Sequence, residues 1–90
     1  MEKQNYMLES GIQTKIKKKL EADGWFVIKL IKTSVNGIPD LMALKNGETM
    51  FIEVKRPKGV LSSIQKFRIQ ELINNGFKAK IWIDYEQDYN

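Results

Sequence analysis

The chain has 90 residues, 42% hydrophobic and 29% charged, with 15 Lys+Arg against 11 Asp+Glu and a formal charge of +4. That length predicts one domain with a thin core, for which a homodimer would add buried surface. The absence of cysteine and histidine excludes disulfides, thiolate zinc sites, cysteine nucleophiles, histidine metal sites and a Ser-His-Asp triad, leaving carboxylates, lysines, hydroxyls, amides or a bound metal for any chemistry.

The opening "MEKQNYMLESG" has no apolar h-region, and no apolar run approaches the ~18 residues of a membrane span. A cytoplasmic chain is the expectation. Residues 5–24 read as an amphipathic helix. Leu8, Ile12, Ile16 and Leu20 recur every four residues, while Lys15, Lys17, Lys18 and Lys19 cover much of the remaining surface. Its start has two candidates, a cap at Asn5 or a capping box from Ser10 to Gln13. With the earlier start, Glu9 falls between Ile16 and Leu20 on the helical wheel and points toward the core. The plainer role for Glu9 is a first-turn acid complementing the helix dipole.

Residues 25–31, "WFVIKLI", read as a mostly buried strand. A loop leads to Pro39, whose missing N–H suits a strand entry or an edge. Residues 40–45 and 48–56 flank Asn46-Gly47, a strong hairpin signal. Ser62 and Gln65 form a second capping-box pattern at the head of a helix with a wide apolar face of Ile64, Phe67, Ile69, Leu72 and Ile73. The last strand is "FKAKIWI". The tail, 84–90, contains Asp84, Glu86 and Asp88 and no basic residue, leaving +7 on residues 1–83. A basic body of this kind suggests an anionic partner, nucleic acid first. The element order αβββαβ predicts an α/β domain, with a mixed sheet flanked by helices.

The hairpin register carries the chemistry. A two-residue loop pairs Lys45 with Glu48 and, counting outward, places Asp40 opposite Glu53. Phe51, Glu53 and Lys55 share one face; Met50, Ile52 and Val54 take the other. Opposed Cβ atoms lie ~5 Å apart, and two carboxylates there repel by ~3 kcal/mol at an effective dielectric near 20. A shared proton, Lys55 or a divalent cation would offset that repulsion. Paired carboxylates suit Mg²⁺. The bland alternative is a solvated hairpin end in which Lys55 pairs with both acids.

Pro39-Asp40 followed by Glu53-Val54-Lys55 resembles the PD-(D/E)XK nuclease superfamily, whose restriction-endonuclease-like core is also αβββαβ. "GIPDLMAL", "FIEVKRPKGVLSSIQ" and a last strand with Lys78 and Trp82 resemble its VRR-NUC (virus-type replication-repair nuclease) branch, over about residues 8–83 of a single domain spanning 1–90. The resemblance implies that Asp40 and Glu53 are metal ligands, with the Val54 carbonyl a third and Glu9 a first-helix acid that contacts metal directly or through water. It makes Lys55 the catalytic lysine and Gln65 the site glutamine. Gln65's place on the helical wheel, between Leu72 and Ile69, agrees by facing the sheet.

The implied reaction is Mg²⁺-dependent hydrolysis of DNA phosphodiesters, with Mn²⁺ as a substitute, giving 5′-phosphate and 3′-hydroxyl ends. Arg56 and Lys58 beside Lys55 suit backbone phosphates. Lys15 and Lys18 belong to a second basic patch, for which a solvated helix face is the competing reading. Small stand-alone members resemble dimeric resolvases of four-way (Holliday) junctions, in a viral or bacterial setting. Trp82, Tyr85 and Tyr89 are interface candidates, or core and rim residues. A flap or nicking endonuclease and a non-catalytic DNA-binding module are the alternatives.

Overall fold

The computed structural model describes residues 9–83. The expected helix start at Asn5, the first stripe residue Leu8, and the acidic tail with Tyr85 and Tyr89 lie outside the described residues. Helix α1 (Glu9–Ala22) precedes strands β1 (Phe26–Lys29), β2 (Leu41–Lys45) and β3 (Glu48–Lys55), then helix α2 (Ser63–Asn74) and strand β4 (Lys78–Ile83). The order is the αβββαβ expected. Ser10 lies inside α1 and does not cap it. The helix closes where the Trp25 amide donates to the Leu20 carbonyl at 3.0 Å.

The four strands form one mixed sheet in the order β1-β2-β3-β4. The first two pairings are antiparallel, and β3 runs parallel to β4. At the hairpin, Asn46 (φ 49°) and Gly47 (φ 81°) both adopt positive φ, as a type I′ turn requires. Its twist matches the strands, so the register is the expected one from Lys45↔Glu48 to Leu41↔Ile52.

Strand parity then builds the core. Val27, Leu41, Ala43, Ile52 and Val54 face α1 and meet Ile12, Ile16 and Leu20 from it. Each such apolar side chain contributes about 1.5–3 kcal/mol on burial. Trp25, Met50 and Trp82 pack around the rim. Trp82, an interface candidate in the sequence, belongs to that rim, with the Lys80 ammonium 4.9 Å from its ring centroid.

Helix α2 departs from its expected burial. It contains no buried residue: Ile69 and Leu72 are half-buried, and Ile64, Phe67 and Ile73 stay exposed. The cause is where it rests. Its backbone lies over β4, the sheet's edge, and a helix ~10 Å across is wider than one ~4.8 Å strand spacing. At the opposite end of that face Phe26 and Ile28 of β1 are exposed, with no helix over them among the described residues. Among the described residues, no helix is long and apolar enough to cross a membrane.

Candidate active site

The site forms where the hairpin opens. The β2–β3 ladder stops at Leu41↔Ile52, so Asp40 and Glu53 are not a ladder pair, although they stand next in register. Past the end of the ladder the Val54 amide has lost its strand partner, and the Asp40 carboxylate takes it: Oδ2 accepts from Val54 N at 2.9 Å. The same residue is fixed through its backbone, whose carbonyl accepts from Leu30 N at 2.8 Å, and by the buried Pro39 before it.

Glu53 is 1% exposed. Its Oε2 accepts from Gln65 Nε2 at 3.2 Å and lies 3.7 Å from Lys55 Nζ. Its Oε1 is buried with no hydrogen-bond partner. Burial raises the carboxyl pKa to about 7, the negative charge of Asp40 adds to the rise, and Lys55 opposes it. Glu9 adds a smaller push in the same direction. Lys55 is itself mostly covered, its side chain 12% exposed.

Gln65 performs two tasks with one amide. Its Oε1 accepts from Ser62 N at 2.9 Å, completing the capping box in which Ser62 Oγ accepts from Gln65 N. Its Nε2 is thereby turned toward Glu53. The helix start is in turn seated on the loop before Asp40. Gly37 has φ 83°, and a Cβ there would come within 2.7 Å of the Ile64 carbonyl. Only glycine permits both the conformation and the approach. Arg68 Nε donates to the Asn36 carbonyl at 2.8 Å beside it.

The sequence of the VRR-NUC domain family matches residues 3–82 of the chain. The chain belongs to the VRR-NUC family. Among solved structures, one described as a VRR_NUC domain is similar to it at 27% identity, with a TM-score of 0.73, covering 83% of this chain and 82% of that one. Comparison with curated proteins gives no match. The mixed four-stranded sheet with its two helices is thus the VRR-NUC fold, and the domain is a nuclease of the PD-(D/E)XK type, with DNA as its class of substrate.

Within this VRR-NUC domain, Asp40, Glu53, Lys55 and Gln65 come together. Among the described residues no group of three or more Asp or Glu side chains is placed to hold a metal, while Glu9 stands near enough for its charge to add to the raised pKa of Glu53. Glu9 lines an open cleft of about 390 Å³ with Arg56, Pro57, Lys58 and Gly59. Lys18 is exposed and Lys15 half-buried. Both follow the turn of α1 that reaches the site, and on the wheel Lys18 points away from the buried Ile12-Ile16-Leu20 stripe. The residue set fits a hard divalent cation. Two carboxylates face one another, and one of their oxygens is buried without a partner, an expensive state unless a cation or a proton fills it. Asp40, Glu53 and the Val54 carbonyl would hold it.

Three contributors escape sequence reasoning. Gly37 reads as an ordinary loop glycine and Arg68 as an exposed helix charge. Lys29 sits in a run that otherwise reads as buried strand, and that one lysine amid apolar neighbours was the available signal.

Proposed function

We propose that this VRR-NUC domain is a Mg²⁺-dependent DNA endonuclease, with Mn²⁺ able to substitute, that acts as a homodimer on four-way junctions. Glu53 carries the catalytic part of this reading. It is a buried carboxylate with one oxygen held by Gln65 and the other without a partner, beside Asp40 and Lys55. Nucleases of the PD-(D/E)XK type generally use divalent metals. Bound here, the cation supplies positive charge at a phosphoryl oxygen and a water of lowered pKa.

The chain's own groups orient the rest. The Val54 amide aims Asp40, and Gln65 fixes Oε2 of Glu53 so that Oε1 stays available. Lys55 presents an ammonium that orients the attacking water or offsets charge building on the phosphate. Arg56 and Lys58 hold flanking phosphates without reading bases. Glu9 acts on this site through its charge or a bridging water. The products carry 5′-phosphate and 3′-hydroxyl ends.

The dimer rests on a different feature. Phe26, Ile28, Met42 and Leu44 occupy the sheet face opposite α1, with Phe26 64% exposed, and Phe67 of α2 is exposed as well. A second copy is the occupant that fits, because resolving a junction needs cuts in two strands and therefore two sites.

The test is a cleavage panel with Mg²⁺ across duplex, flap, single-stranded and four-way-junction DNA, with Asp40→Asn and Lys55→Ala beside the wild type. Junction cleavage lost in both variants while binding persists is expected. Preference for flaps or nicked duplex would replace the junction assignment, and cleavage surviving in either variant would remove these residues from the chemistry. Mg²⁺ should also raise the melting temperature of the wild type and not of Glu53→Gln.

A further inference from the structure

A second opening, of about 360 Å³, is lined by Ser10, Gln13, Lys29, Leu30, Ile31 and Asp40. Its chemistry is mostly that of donors: a hydroxyl, an amide and an ammonium. Asp40 is the acid on its wall, and one oxygen of that carboxylate is already engaged by Val54 N. Lys29 reaches this opening because β1 pairs with β2 in a register that sets Lys29 beside Leu41, on the face that meets α1. There its Nζ donates to Thr14 Oγ1 at 2.6 Å, and that hydroxyl donates in turn to the Ser10 carbonyl at 3.1 Å. Lys29 is half-buried, and its ammonium has no carboxylate partner among the described residues. One of its three protons goes to Thr14, which leaves two for another acceptor. A half-covered cation with donors to spare, beside a hydroxyl and an amide, suits an anion carrying several acceptor oxygens.

We propose that Lys29, with Gln13 and Ser10, forms a subsite for a DNA backbone phosphate one or two nucleotides from the scissile one. This rests on the nuclease reading of the Asp40–Glu53 site. The opening shares Asp40 with that site, so a strand whose scissile phosphate lies against Asp40 and Glu53 passes it. Thr14 holds the lysine in place, and the ammonium neutralises the phosphate charge without reading sequence. The strand is then held by Lys29 as well as by Arg56 and Lys58.

The experiment compares full-length wild type with Lys29→Gln, which removes the charge and keeps a donor, Lys29→Arg, which keeps the charge, and Thr14→Val, which removes the support alone. Binding to junction DNA is measured without divalent cation across about 50 to 200 mM salt. Lys29→Gln should bind several-fold more weakly, with the slope of log K on log salt reduced by about one, while Lys29→Arg and Thr14→Val keep the wild-type slope. An unchanged slope in Lys29→Gln overturns the subsite, as does an equal loss of slope in Lys29→Arg, which keeps the charge.

In a second arm, single methylphosphonates replace each phosphate near the cut. Wild type should lose rate at one flanking position to which Lys29→Gln is indifferent. Equal sensitivity of the two proteins at every position also overturns the subsite. Because the salt slope is read without cleavage, a wild type that binds but never cuts would defeat the nuclease reading and leave the subsite to be decided on its own.

Discussion

Gln65 shows how much one side chain can be asked to do, and substitution separates its tasks. Gln65→Ala removes half of the capping box and the hydrogen bond from Nε2 to Oε2 of Glu53. A loss of the order of 1 kcal/mol is expected, lowering the melting temperature by about 4–8 °C in a domain this size, together with at least a tenfold loss of cleavage rate. Gln65→Glu keeps an acceptor at the third helical position, so it should retain most of the cap. It also sets a carboxylate against the buried Glu53, so cleavage should be lost and the repulsion should cost stability that is recovered as pH is lowered. A Gln65→Glu variant that melts below Gln65→Ala at neutral pH and above it at about pH 4–5 is expected, and the same order at both pH values would count against the cap being made through this side chain.

Glu53 gives a pH dependence whose sign is fixed. Its folded pKa, about 7, lies above the ordinary 4.5, so between those values the unfolded chain has lost a proton that the folded one keeps. The contribution of Glu53 to stability is therefore greatest below 4.5, falls as pH rises toward about 7, and is level above that. Denaturant titrations of metal-free protein should show this decline in the difference between wild type and Glu53→Gln, and a difference that stays flat with pH would contradict the raised pKa. Cation binding competes with the same proton, so apparent Mg²⁺ affinity should rise as pH is raised through about 7.

At the scale of elements, the hairpin and α2 are registered to one another through a loop glycine. Gly37→Ala introduces a Cβ into the Ile64 backbone at a residue with positive φ. It should destabilise the domain by about 1–3 kcal/mol and lower activity further by displacing Gln65. Activity unchanged in this variant would mean that α2 does not need the loop to place its amide. Much of the hairpin was legible beforehand, because a two-residue turn leaves one register open to the strands. The end of the ladder was not. Nothing in the sequence says that Asp40 leaves its strand to accept from Val54 N, since that depends on where β2 and β3 diverge. Likewise, periodicity reveals the apolar face of α2 but not that β4 is too narrow to cover it. Asp40, Glu53 and Lys55, which the fold brings together, were singled out by motif spacing and Gln65 by family resemblance, whereas Lys29 was hidden by its apolar neighbours.

For the whole molecule, the uncovered sheet face bears on the number of copies. If a second copy sits there, sedimentation should give twice the 10.5 kDa chain mass. Phe26→Glu should then yield a monomer with a folding stability within about 1 kcal/mol of wild type, because Phe26 lies outside the core. Paired cuts in a junction should become independent nicks. A wild type that sediments as a single chain at micromolar concentration would remove the dimer.

The capping box at Ser62 and Gln65 also sets an order in time. A ribosome releases Asp40, Glu53 and Lys55 before it releases the helix whose first turn orients Glu53, and that helix must still dock on the loop before Asp40. The dangerous groups are thus made early and aligned late. If the site cuts as proposed, a nascent chain would carry it unaligned until the second helix has wound and seated, and completion of folding would be the safety catch on cutting.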